Sequence, residues 1–338
     1  MRIITQIFWL LTLNIAVFGQ PTETKNTSDK PDSTYIAQPS WHNDFRVLYG
    51  TKGSSLVYGS KNQTGNSTST SFYNNVIDVV GFGATYKFID FDLAFSLPQT
   101  KLLDEGLQNL KQFRLSGSYY GRKLIIGGYW TDSQGLVIAD AAGEFQSSPD
   151  VHLVRIGLQF TYNFNSTRYS FKAANFQNEL QRRSSGSFLL RAEPFYRKIG
   201  VGVTLVPSSR DIAVTYGDQV GLHYVSSPGI SILPGYGYNF VWKSGKYFVS
   251  PIVMAGAGVA VSAYRGPVAE HVILNTEWMG MATLNMGYNG SRMYVVLRSY
   301  YEMRYFQLNP SYFTTAEIRV GITAGYRFGD LEKFIPGF

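Results

Sequence analysis

The densest run of hydrogen-bonding and charged side chains lies between Asn175 and Ser187, with Gln177, Glu179, Gln181, Arg182, Arg183, Ser184, Ser185 and Ser187 in one short stretch. Amide, hydroxyl and guanidinium donors in such a set suit an anionic or sugar ligand held at the mouth of a hairpin. The weightier reading is structural. A polar loop folded into an interior fixes it by hydrogen bonds, because buried polar groups generally have partners. A second set recurs at alternate positions of apolar stretches: Arg114, Arg155, Lys172, Arg191, Glu193, Glu277, Glu317, Arg319 and Arg327. Charges of both signs on one inner wall either line a conduit, which an arginine excess biases towards anions, or lock it shut as ion pairs.

Catalytic and metal-binding readings have less behind them. The histidines are His42, His152, His223 and His271. His223 lies near Ser226 and Ser227, residue types that hydrolyse lipid when a third group orients the imidazole. A loop histidine is more often simply solvated, and no Gly-x-Ser-x-Gly turn is present. Glu270-His271 lacks a second ligand at strand or helix spacing, so no metal site is expected there. Asp90 with Asp92, and Asp132 with Asp140, are carboxylate pairs of a kind that holds calcium, but solvated loop carboxylates are the simpler reading. Gly53, Gly81 and Gly83 sit in strand contexts with no helix following, unlike a phosphate loop. The chain has no cysteine, which excludes disulfides, thiolate metal sites and cysteine nucleophiles. No cofactor is expected.

The element that must position these charges is a strand. From Val154 to Phe164, the residues Val154, Ile156, Leu158, Phe160, Tyr162 and Phe164 alternate with Arg155, Gly157, Gln159, Thr161 and Asn163. Successive strand side chains point to opposite faces, so this is a wall segment, oily outside and wet inside. A tilted strand needs about 10 residues to cross a bilayer. Comparable segments are Phe45–Tyr58, Tyr73–Phe88, Phe91–Leu97, Lys111–Tyr120, Lys123–Trp130, Val151–Phe164, Tyr169–Phe176, Ser187–Phe195, Ile199–Leu205, Ser231–Trp242, Tyr247–Ala255, Val272–Tyr288, Arg292–Glu302 and Thr314–Phe328. Long connections, Gln177–Gly186 among them, alternate with short turns such as Asn165–Arg168, Tyr196–Lys198 and the tight Asn289-Gly290 hairpin. Long loops on one side and short turns on the other predict an all-β, antiparallel, up-and-down transmembrane β-barrel. It has about 14 strands, or about 12 as the alternative, with both termini on the turn side.

Composition agrees. Charged residues make up 16% and aromatics 15%, with 24 Tyr and 23 Phe available for girdles at the two membrane interfaces. Residues 1–19 read as a signal peptide, with Arg2 as its charged start, Ile3–Phe18 as its apolar core and cleavage near Gly19/Gln20. Residues 20–43 read as a flexible polar lead-in containing Pro21, Pro31 and Pro39, and residues 44–338 as the barrel. The net charge of +7 comes without any Lys/Arg run, so nucleic acid is not an expected partner.

Several motifs together carry a family likeness. They are Gly81-Phe82-Gly83-Ala84-Thr85-Tyr86-Lys87-Phe88; Tyr119-Tyr120-Gly121-Arg122-Lys123; and Tyr162-Asn163-Phe164-Asn165 followed by Tyr169-Ser170-Phe171-Lys172-Ala173, Asn175, Gln177, Gln181, Ser184, Gly186 and Ser187. Gly235-Tyr236-Gly237-Tyr238 and Gly325-Tyr326-Arg327-Phe328 extend the pattern. From about Tyr35 to the C-terminus the chain resembles an uncharacterised family of Bacteroidota outer-membrane proteins, domain of unknown function 4421. The resemblance implies a barrel in the outer membrane and brings no activity and no known site. The aromatic close at Tyr326 and Phe328 resembles the C-terminal signal read by the barrel-assembly machinery, although the chain continues to Phe338.

The first expectation is therefore a passive channel or small-solute transporter, which lumenal arginines would bias towards anions. The second is a closed structural or partner-binding barrel, and the third an outer-membrane lipid hydrolase. Membrane lipid and the assembly machinery are the expected partners.

Overall fold

The structure is a computed structural model, and it describes residues 30–38, 43–61, 67–73, 77–86, 89–97, 111–139, 145–200, 222–265, 270–308 and 311–329. A two-residue strand, β1 (Ile36–Ala37), precedes the wall. The wall begins with β2 (Asn43–Lys61), β3 (Ser67–Tyr73), β4 (Ile77–Tyr86), β5 (Ile89–Ser96), β6 (Lys111–Tyr120), β7 (Leu124–Ala139) and β8 (Phe145–Asn163). A short helix, α1 (Phe171–Asn175), and β9 (Leu180–Gln181) interrupt it. It resumes with β10 (Ser185–Gly200), β11 (Tyr224–Trp242), β12 (Tyr247–Arg265), β13 (Glu270–Asn289), β14 (Met293–Gln307) and β15 (Ser311–Phe328).

Pairing is antiparallel throughout, and β15 returns onto β2 from Ser311↔Ser60 to Phe328↔Asn43, closing the sheet. β3 pairs with the far half of β2 and β4 with its near half, so the two form one interrupted return strand. The result is a closed barrel of 12 strands. Closure pairs the first wall strand with the last, which lets a sheet stand in hydrocarbon. Beyond the short β5–β6 hairpin, β3 pairs directly with β7 at Ser71↔Ala139 and Tyr73↔Val137.

Twelve is the lower of the two counts the sequence allows, for two reasons. Tyr169–Phe176 alternates like a strand but forms α1, because Ser170 caps a helical turn: its Oγ accepts from Ala173 N at 2.9 Å. Ser187–Phe195 and Ile199–Leu205 do not meet at a turn. β10 runs unbroken through Tyr196–Lys198, with Arg197 on its inner face. Residues 201–205, the signal segment and the tail beyond 329 lie outside the described residues.

The outer face is apolar. Phe188 and Leu274 are 70% and 75% exposed, and at the turn end Tyr247 stacks on Trp242 and packs tilted against Tyr288. Such rings suit a membrane interface. Many strands run well past the 10 or so residues a bilayer needs, and towards the loop end the outer face turns polar at Gln134, Lys198, Arg265 and Glu270.

Candidate functional site

Among the described residues, inward-facing side chains and the connection after β8 occupy much of the lumen, and its contents form three layers. At the loop end, Leu56, Tyr58, Val151, Ile199, Val225, Tyr264, Phe306 and Phe313 form an apolar cluster. Phe306 and Phe313 stack at 5.0 Å, and Tyr58 lies 4.7 Å from Phe313.

Below it lies an ionic lattice. The guanidinium of Arg304 reaches Glu193, Glu277 at 3.0 Å and Glu302 at 2.9 Å. Arg155 bridges Glu302 and Glu317, the latter at 3.2 Å, and Arg197 takes the other oxygen of Glu277 at 3.0 Å. Tyr129 and Gln159 donate to Glu193 at 2.9 and 3.0 Å, and Tyr300 donates to Glu302. Lys52 and Arg114 stand 3.9 and 3.8 Å from Glu317. Arg319 Nε lies 2.9 Å from Glu317 Oε1 but is misaligned for a hydrogen bond, so the pair is a contact ion pair stacked on Tyr300.

The turn end is stoppered by the connection between β8 and β10, residues 164–184. Tyr169, Phe171 and Ala174 pack on Leu189, Leu233, Ile252 and Met281 of the wall. Wall asparagines hold its backbone. Asn163 donates to Tyr169 O, Asn239 to Ser170 O, Asn285 to Ala174 O and Asn289 to Glu179 O, all at 3.0–3.1 Å. Glu179 is buried, bound by Arg122 at 2.7 Å and by Ser170 Oγ at 2.6 Å. Gln181 accepts from Ser170 N and donates to Arg168 O and Arg183 O. Gln177, at φ +58°, receives Arg298 at 2.8 Å on its side chain and Arg327 on its carbonyl. Burial pulls the Lys172 ammonium below its usual range, and Glu179 at 4.0 Å opposes this only partly.

The stretch read as a lead-in contributes a clasp. β1 pairs with β9, and Arg182 N donates to Tyr35 O at 2.6 Å. Thr34 donates to Asp32 from side chain and backbone, which holds that carboxylate below its ordinary range. One plug contact leaves no spare room. A Cβ on Gly237 would collide with the Tyr169 hydroxyl, which has no hydrogen-bond partner. Gly237→Ala is expected to lower the unfolding midpoint in urea, and Tyr169→Phe to cost nothing, because the deleted hydroxyl satisfies no bond.

The residues singled out by sequence divide as follows. Arg114, Arg155, Arg191, Glu193, Glu317 and Arg319 face the mid-lumen, and Lys172, Gln177, Gln181 and Arg327 belong to the plug and its seat. Arg182 and Ser184 sit at the turn-end surface, on Ser33 O and Val241 N, and Ser187 accepts from Asn165 N. The Asn175–Ser187 block is therefore at the turn end and not in a loop-end mouth. Sequence reasoning missed Arg197, Glu302 and Arg304. The signal was available, since Tyr300, Glu302, Arg304 and Phe306 continue the inner-face alternation of β14 into what reads as a loop.

The remaining chemistry dissolves in part. Ser226 Oγ donates to Tyr196 and Ser227 Oγ pairs with Ser262, so neither serine meets His223. Asp90 and Asp92 both lie 2.7 Å from Arg46, so a guanidinium occupies the place a cation would take. Asp140 lies outside the described residues.

Comparison with known proteins gives a family. The family described as Domain of unknown function (DUF4421) matches residues 30–328. Among curated proteins, none matches. The outer membrane protease OmpT of Escherichia coli is similar at a TM-score of 0.40 and 6% identity, over 86% of this chain and 97% of that one. The toluene transporter TodX of P. putida has a TM-score of 0.28 and 9% identity, over 86% and 91%. Ail, the attachment invasion locus protein of Yersinia pestis, has a TM-score of 0.24 and 10% identity, over 84% and 99%.

Proposed function

We propose, from the premise that this chain belongs to the family Domain of unknown function (DUF4421), that it is a closed outer-membrane barrel with a structural or partner-binding role in the envelope. The observation that carries this reading is the plug at residues 164–184, whose backbone carbonyls are received by four asparagines from three wall strands, β8, β11 and β13. A segment meant to leave freely would not have so much of its backbone matched, because each matched group loses its partner on departure. Most of the charges above it, those of the lattice around Arg304, are likewise paired with one another, a lock rather than the lining of a pore. In this reading a signal peptide is cleaved near Gly19/Gln20, the turn end faces the periplasm, and the β1 clasp presents the plug to periplasmic partners. The barrel-assembly machinery inserts it.

Refolded protein in a planar bilayer, with heat-modifiable gel mobility confirming the barrel, is expected to show no standing conductance. Discrete, reproducible current steps from the intact chain would sink the closed reading. They would support the alternative, a conduit for small anions, which the arginine-rich cavity between plug and lattice favours.

A further inference from the structure

Between the plug and the ionic lattice lies a cavity of about 310 Å³, a size in the range of small-molecule sites. Its charged lining comprises Lys52, Arg114, Arg191, Arg298 and Arg319, with Asp90 and Asp92 on one wall. Those two aspartates are already satisfied by Arg46. Lys52, Arg114 and Arg319 share Glu317. Arg191 and Arg298 are different: among the described residues neither has a carboxylate within ion-pair distance. Arg191 is 7% exposed and contacts Thr161 Oγ1 and Met281 Sδ, both at 3.0 Å. Arg298 gives one bond to Gln177, and its Nε has no partner; nor has the Thr283 hydroxyl beside them. A guanidinium withdrawn from water without a counter-charge is costly unless an anion answers it. The facing surface is apolar: Phe171 and Phe176 from the plug, with Met281 and Tyr300 from the wall.

We infer that this cavity is a binding site for a small organic anion, with a carboxylate or phosphate on Arg191 and Arg298 and an aromatic or apolar body against Phe171, Phe176 and Tyr300. A planar guanidinium matches either oxyanion two-pronged, which a lysine does not. The inference uses the closed barrel only in that the plug supplies one wall.

The test is a 31P NMR titration of phenyl phosphate against barrel refolded in its presence, so that entry does not limit binding, with inorganic phosphate titrated alongside. Saturable one-to-one binding is expected, about tenfold or more tighter for phenyl phosphate than for inorganic phosphate, and about tenfold or more weaker in Arg191→Met and in Arg298→Met. Gly127→Leu should abolish binding with every charge retained, because its side chain enters the cavity and its Cβ meets nothing closer than 3.4 Å. Arg182→Met, at the turn-end surface, should bind as the parent does. No saturable binding by the parent, or parental affinity in both arginine variants, would overturn the site. Equal affinity for inorganic phosphate would overturn the apolar half of it. Should either arginine variant fail the gel-mobility check, the Gly127→Leu arm decides. Conductance reads the closed state independently, so failure here and failure of that reading are told apart.

Discussion

Replacing residues 166–183 with a tight turn is expected to lower the barrel's unfolding midpoint sharply while leaving the lumen non-conducting. The stability loss follows from what the segment buries. Tyr169 and Phe171 are 0% and 7% exposed, and full burial of a side chain of that size contributes about 1.5–3 kcal/mol. Four wall asparagines also lose their acceptors. Water entering from the turn end compensates part of that loss, so the apolar term dominates. The lumen stays closed because two further layers remain, the ionic lattice around Arg304 and the apolar cluster around Phe306 and Phe313. Urea unfolding followed by gel mobility, together with bilayer recordings on the same sample, checks both halves. A deletion variant as stable as the parent that conducts in open steps would show that the plug is a gate and that the upper layers admit ions.

Arg304→Met is expected to be the most damaging point substitution in the wall. Its guanidinium is 2% exposed and serves Glu193, Glu277 and Glu302 together. Removing one partner of a buried ionic group typically costs about 3–5 kcal/mol, because the charges left behind have been taken out of water. Arg304→Lys should rescue little, since one ammonium cannot reproduce a planar fork aimed at three carboxylates. Adding Glu193→Gln to Arg304→Met should recover part of the loss, because Arg304 is the cation paired with Glu193 and removing both sides of a buried pair is far milder than removing one. If Arg304→Met shifts the urea midpoint no more than an exposed substitution such as Arg182→Met, then water solvates the lattice and the lumen is wet.

The two substitutions differ in how far the sequence foretold them. The carboxylates of the lattice, Glu193, Glu277 and Glu317, stand out as inner-face residues because period-two alternation survives any change of partner. Arg304 and Glu302 escape because they stand where Glu302-Met303-Arg304 puts two charges within three residues at the strand's loop end, which makes a strand look like a loop. The plug misleads in the opposite way. Tyr169, Phe171, Ala173 and Phe176 are apolar because they are buried, and a short run of buried residues looks alike in a strand and in a capped turn. The left-handed Gln177 and the N-cap Ser170 decide which it is, and both act over a few residues only.

By itself, then, the sequence determined the wall: alternation assigns each side chain to lipid or lumen, and that assignment needs no knowledge of which strand lies beside which. It also determined that the lumen holds charge of both signs and that the Asn175–Ser187 block is polar enough to need partners. Only the tertiary structure decided who those partners are. Arg155 meets Glu302 across 147 positions and Arg298 meets Gln177 across 121, so whether a lumenal charge is a free lining or half of a lock depends on closure and register. Closure and register are set by β15 returning to β2, a contact between the two ends of the barrel that no local pattern encodes.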